Sequence, residues 1–158
     1  MSDEKSAVPT LYEWIGGQPA IERLIGHFYS IVPIDALLAP VFAQMSSAHV
    51  AHVSAFIGEV FGGPKAYSGQ LGGHSHMIHM HANRALTEAQ RQRWMQLLLQ
   101  SADEVGVPND PEFRSALVGY LEWGTRLAVL NSQPGADLSQ VAPMPAWGWG
   151  EVKGPYIK

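Results

Sequence analysis

Cysteine is absent from this 158-residue chain. That excludes disulfides, thiol nucleophiles and cysteine-ligated zinc or iron–sulfur centres together. Basic residues are scarce as well. Ten Lys plus Arg stand against fourteen Asp plus Glu, for a formal charge of −4, and no basic stripe appears that would face a nucleic acid. No apolar run is long enough to span a bilayer. The N-terminal MSDEKSAVPT lacks the apolar centre of a secretory signal. The expectation is a cytoplasmic protein that meets neither nucleic acid nor membrane. Period-two alternation is missing too, which argues against strands. What is present is 46% hydrophobic residues, enough at this length for one packed core.

The apolar residues follow helical spacing between clear stops. Thr10 and Glu13 form a capping box for a first helix that ends at Gly16-Gly17. Pro19 suits the first turn of a second, whose stripe of Ile21, Leu24, Ile25 and Phe28 runs to Pro33. Asp35 can cap a short piece over Ala36 to Leu38, and Ser46 or Ser47 is placed to open the next helix. That helix is apolar on more than one side (Val50, Val53, Phe56, Ile57, Val60, Phe61), as expected when it is sandwiched or lies against a large ligand. Residues 62 to 76, with five glycines and a proline, read as a loop. Thr87 and Gln90 cap a long helix that Gly106 and Pro108 end, and Asp110-Pro111 opens the last. The fold class is therefore all-α. The chain divides into a polar extension over 1–10, a helical domain over 11–131 and a Pro/Gly/Trp-rich tail over 132–158. A docked tail and a disordered one fit the tail's composition equally.

Chemistry concentrates in four of the seven histidines, His74, His76, His79 and His81. Four imidazoles suffice in number for a zinc or nickel site. The nearest acids, Glu59 and Glu88, lie beyond the loop on either side, so carboxylates to orient or bridge such ligands are missing. A single haem ligand demands less: one neutral imidazole and apolar side chains to cover the porphyrin. Met77, Ile78 and Met80 beside His81 meet that demand, since thioethers pack well on flat conjugated surfaces. A polar loop with no ligand fits the same residues.

The ordered set Phe28-Tyr29, Gly62-Gly63-Pro64 with Tyr67-Ser68, His81 and Trp94 resembles the truncated haemoglobins of the second group, over about residues 11 to 131. The resemblance implies a shortened globin fold in which two antiparallel helix pairs, two over two, enclose haem b. It implies His81 rather than His79 as the iron ligand, because the interval from His81 to Trp94 matches the family's. It places Tyr29, Trp94 and His49 on the distal side, where a bound ligand is stabilised. Phe42, Val53, Phe56, Phe61, Met77 and Met80 would pack on the cofactor. The family's basic run before the proximal His and its Pro-Phe pair after it are replaced here by Met-Ile-His-Met and Ala82-Asn83-Arg84. Lys65, Tyr67 and Arg84 then stand in by position for the residues that hold the propionates. Phe42 takes the place of a tyrosine and cannot donate a hydrogen bond.

By this resemblance the partners are O2, NO, CO or another small haem ligand, with a reductase to recycle ferric iron and a monomer or homodimer as the assembly. Oxygen binding or transport is the first expectation, and nitric-oxide dioxygenation or peroxidase-like chemistry uses the same iron and donors. The rival is a cofactor-free helical module that binds zinc or nickel through the segment from His74 to His81.

Overall fold

A computed structural model describes residues 8–139 and 143–156. The expected extension over 1–10 and tail over 132–158 fall partly outside that range. The described residues form seven α-helices and two 3-10 turns, without a strand among them.

Short-range chemistry sets the start of three of these helices. In α1 (Leu11–Ile15) the Thr10 hydroxyl accepts from the Glu13 amide at 3.0 Å, and the Glu13 carboxylate accepts from the Thr10 amide at 3.1 Å. Each bond satisfies a donor that the helix itself leaves orphaned. Gly16, at φ 113°, turns the chain directly into α2 (Gly17–Ile31). The stripe Ile21, Leu24, Ile25 and Phe28 of α2 is fully buried. Asp35 caps as expected, accepting from the Leu37 and Leu38 amides, but the chain beyond it runs through turns and forms no helix before α3. That helix, α3 (His49–Val60), starts after both serines and takes no side-chain cap. Thr87 and Gln90 close the second capping box on α6 (Glu88–Glu104), and Asp110 caps α7 (Pro111–Ser132).

The loop expected over 62–76 folds instead into two short helices, α4 (Ala66–Gln70) and α5 (Gly73–Met80). Two devices overcome the local glycine content. The Glu59 carboxylate, on α3, accepts from the Tyr67 and Ser68 amides at 3.1 and 2.8 Å, which caps α4 from a neighbouring element. Gly72, at φ 92°, supplies the left-handed corner between the two helices.

The helices α2 and α3 pack as one pair and α6 and α7 as another, with α2 also against α6. The main core lies between them, where Phe28, Phe61, Leu98 and Phe113 are all but inaccessible. The segment 143–149 is docked on this body. The Trp147 amide donates to the Val60 carbonyl at 2.8 Å, and the Trp149 indole donates to the Pro9 carbonyl at 2.7 Å.

Candidate functional site

A cavity of about 450 Å³ opens between the two helix pairs. It falls within the roughly 300–1,000 Å³ of pockets that hold small molecules and cofactors. α2, α3 and α6 supply one wall, α5 a second and α7 a third.

On the α2–α3 side, Tyr29 is buried with its ring edge-on to His49 at 4.7 Å and to Phe42 at 5.5 Å. Trp94 reaches the same place from α6, seated on Phe28 at 5.1 Å, with its indole beside the Tyr29 side chain. Indole nitrogen only donates, so toward Trp94 the Tyr29 oxygen can only accept, and its own proton stays available to a third group. Burial pushes the Tyr29 phenol well above its ordinary range, partly offset by Trp94, so the proton is held at all moderate pH values. His49 Nε2 is buried and has no hydrogen-bond partner among the described residues. Leaving such an atom unpaired costs about 1–3 kcal/mol unless a ligand or water meets it. Burial, then the positive charges of Arg84, His52 and His81, brings His49 down to about 4. The ring is therefore neutral at pH 7.

Across the cavity, His81 sits at the C-cap of α5, with its Nδ1 2.9 Å from the Met77 carbonyl. A carbonyl can only accept, so Nδ1 carries the proton and Nε2 keeps its lone pair. Burial holds the ring's pKa below the usual histidine value, against the Met77 bond, which raises it. A neutral imidazole whose second nitrogen is pinned to a backbone carbonyl is the usual form of a metal-ligating histidine. Met77, Ile78 and Met80 line the cavity beside it, and Val53, Phe56 and Tyr67 add apolar or aromatic wall. His79 Nδ1 likewise meets the Ser75 carbonyl at 2.7 Å, but that ring is exposed and lies off the cavity.

The structure thus gathers Tyr29, Trp94, His49, Phe42, Val53, Phe56, Tyr67, Met77, Met80 and His81 around one space. Two expected cofactor contacts lie elsewhere. Phe61 points into the core against Tyr120, at 5.4 Å, because α3 has ended and the chain is already turning away from the cavity. Lys65 is exposed ahead of α4 and does not line the cavity. Arg84 does line it, with its Nε donating to the Met80 carbonyl at 2.6 Å. Arg91 lines it too, yet its guanidinium is already paired with Glu88 and Glu122.

Several lining residues escaped the sequence reading. His74 is buried in the cavity wall, and Trp123 and Tyr120 approach from α7. The signal for His74 was its distance of seven residues from His81. Two helical turns put both on one face, but only if the segment is recognised as helical. As for the metal-binding rival, among the described residues no three His, Asp or Glu side chains converge on a common point. The histidines from 74 to 81 are spread between the cavity and the exterior, and the zinc or nickel reading is not favoured.

The model of the bacterial-like globin family matches residues 10–123. The group 1 truncated haemoglobin GlbN of Nostoc sp. is 47% identical over 62 residues, which are 39% of this chain. The chain spans only about half, 52%, of that relative's length. Solved structures match more broadly. The group II truncated haemoglobin of Bacillus anthracis is 26% identical with a TM-score of 0.69, over 77% of this chain and 91% of its own. A truncated oxygen-avid haemoglobin of Bacillus subtilis is 27% identical with a TM-score of 0.68, over 77% and 99% respectively. The expected likeness to second-group truncated haemoglobins and the two-over-two helical fold are both borne out.

Proposed function

This chain belongs to the bacterial-like globin family, whose members bind small ligands at haem, and on that premise we propose that it carries haem b on His81 and holds O2 or another diatomic ligand beneath Tyr29, Trp94 and His49. One observation carries the reading. A cavity-lining imidazole is kept neutral, with Nδ1 fixed by the Met77 carbonyl so that Nε2 keeps its lone pair, and the same cavity contains a buried His49 Nε2 with no partner among the described residues. Both nitrogens lack what a liganded iron would give them.

When bound, haem supplies an open iron position and the electrons for diatomic binding. The chain's residues do the rest. His81 fixes the cofactor from the α5 side. Met77, Met80, Val53 and Phe56 exclude water from its faces. Arg84, which lines the cavity, would pair with a propionate. The Tyr29 hydroxyl donates to a ligand atom that bears partial negative charge, while Trp94 holds the Tyr29 oxygen in place. Neutral His49 can either accept or donate. Donors of this kind favour tight oxygen binding, the property named for the Bacillus subtilis relative.

A second reading, nitric-oxide dioxygenation or peroxide chemistry, draws on His49. An imidazole with one free nitrogen beside the ligand can hold or release a proton during such reactions. It calls for a one-electron reductase partner and fits a cytoplasmic setting. Among the described residues no helix is long and apolar enough to cross a membrane.

The test is optical. Protein purified with one haem per chain should show an intense Soret band, and the ferrous form should bind O2 and CO reversibly. A protein that takes up zinc but not added haem would overturn the reading.

A further inference from the structure

α5 is poorly supported by its own sequence. It has eight residues, begins between Gly72 at φ 92° and Gly73 at φ 67°, and has no side-chain cap. Isolated helices of this length do not persist in water, and glycine lowers the odds further. Yet His81 sits at its end, so whatever holds α5 also sets the direction of that imidazole.

One tie comes from far along the chain. His74, on the first turn of α5, has its Nδ1 3.0 Å from the Pro143 carbonyl, 69 residues away. The ring is buried and lies at 6.0 Å from both Phe56 and Trp123. Trp123 in turn packs on Trp147 at 5.9 Å, and Trp147 also meets Tyr120 at 5.7 Å. The segment 143–149 is itself anchored by the Trp147 amide on Val60 and by Trp149 against Trp14 at 6.0 Å. All of it lies beyond residue 123, where the family model ends. His74 and His81 are seven residues apart on one helix face, so a rotation of α5 that freed one ring would swing the other.

We propose that the C-terminal segment 143–149 fixes the orientation of His81 through His74, which acts as a positioning residue on the iron side of the pocket. This rests on His81 as the iron ligand. In outline, the Pro143 carbonyl and the Trp123–Trp147 pair clamp the His74 ring, the ring locks the rotation of α5, and α5 aims His81. His74 is required as a hydrogen-bond donor at this point, since an apolar side chain would leave the Pro143 carbonyl without its partner.

The experiment uses the full-length haem-loaded protein and three variants, His74→Leu, His74→Asn and Trp147→Ala. Two readouts are taken: the iron–imidazole stretching band of the ferrous form by resonance Raman, and the rate of haem transfer to excess apomyoglobin. His74→Leu should shift and broaden the band and speed haem transfer by up to about tenfold, the low end for a direct outer partner of a metal ligand, since His74 acts one step further out. His74→Asn should restore both, because its amide can donate to the same carbonyl. That rescue also separates positioning from direct ligation, which asparagine cannot supply. Trp147 does not line the cavity, so Trp147→Ala should reproduce the Leu phenotype without touching the cofactor. Combining it with His74→Leu should add little, as for two steps of one path. A band and transfer rate unchanged in both His74→Leu and Trp147→Ala would overturn the proposal. So would an Asn variant as impaired as the Leu one. His81→Gly separates the two layers. If that variant keeps the native iron–imidazole band, the assignment of His81 fails; if it loses the band while His74→Leu stays native, only the role of the C-terminal segment fails.

Discussion

Tyr29→Phe is the cleanest probe of the distal site, because it removes one oxygen and leaves the ring's packing on His49 and Phe42 intact. Two effects separate by state. Without haem, the change removes the hydroxyl that neighbours the Trp94 indole and can accept from it. A polar group left unpaired inside a protein costs about 1–3 kcal/mol, less where water in the empty cavity can take over. The unfolding midpoint of the apoprotein should fall accordingly. In the oxygen complex, the lost bond is the one from the Tyr29 hydroxyl to a partly charged ligand, worth about 1.5–3 kcal/mol. At about 1.4 kcal/mol per decade, oxygen should leave roughly one to two decades faster. Carbon monoxide carries less charge when bound and should respond more weakly. Trp94→Phe should act in the same direction, since it releases the Tyr29 oxygen, and the double variant should fall short of the product of the two because the bonds form one network. Stopped-flow dissociation of O2 and CO provides the measurement. An oxygen off-rate unchanged in both single variants would mean that these aromatics are core residues without contact to the ligand.

The same geometry carries three other expectations. His81→Gly should abolish stable haem binding and regain it with added imidazole, while His79→Ala, whose ring lies off the cavity, should keep the native Soret band. His49 is held at about 4 in the fold against 6.5 for the free side chain, so the unfolded chain binds the extra proton first. The stability tied to its neutral form is complete above pH 6.5 and is lost as pH falls through about 4. Urea titrations of the apoprotein should show this slope, and His49→Gln should reduce it, leaving the part that the likewise lowered His74 and His81 contribute. Thr87→Ala removes the hydroxyl that accepts from the Gln90 amide and should cost about 1 kcal/mol of unfolding free energy.

The parts of this protein that its sequence determined unaided are those whose partners sit a few residues apart. The boxes Thr10 with Glu13 and Thr87 with Gln90, and the Asp110 cap ahead of Pro111, join groups three residues apart and mark their helices at the expected places. The spacing of apolar residues likewise suffices for α2, whose buried stripe is the expected one. The distal residues were implied by the family resemblance, and the cavity gathers them. Between Gly62 and His81 local signals fail, because the glycines there argue for a loop while the forces that make α4 and α5 come from elsewhere. Glu59 caps α4 from α3, and Pro143 holds His74 across 69 residues. Nor could periodicity separate Phe61 from Phe56, since α3 is apolar on two sides, and only the end of that helix turns Phe61 toward Tyr120 and away from the cavity. Lys65 and Arg84 were equal by position. A hydrogen bond to the Met80 carbonyl at the end of α5 holds Arg84 at the cavity, whereas Lys65, ahead of α4, stays exposed. Tertiary contacts decided these points because a weak helix or a single charge has no local partner strong enough to fix it, and takes its place from the surface it meets.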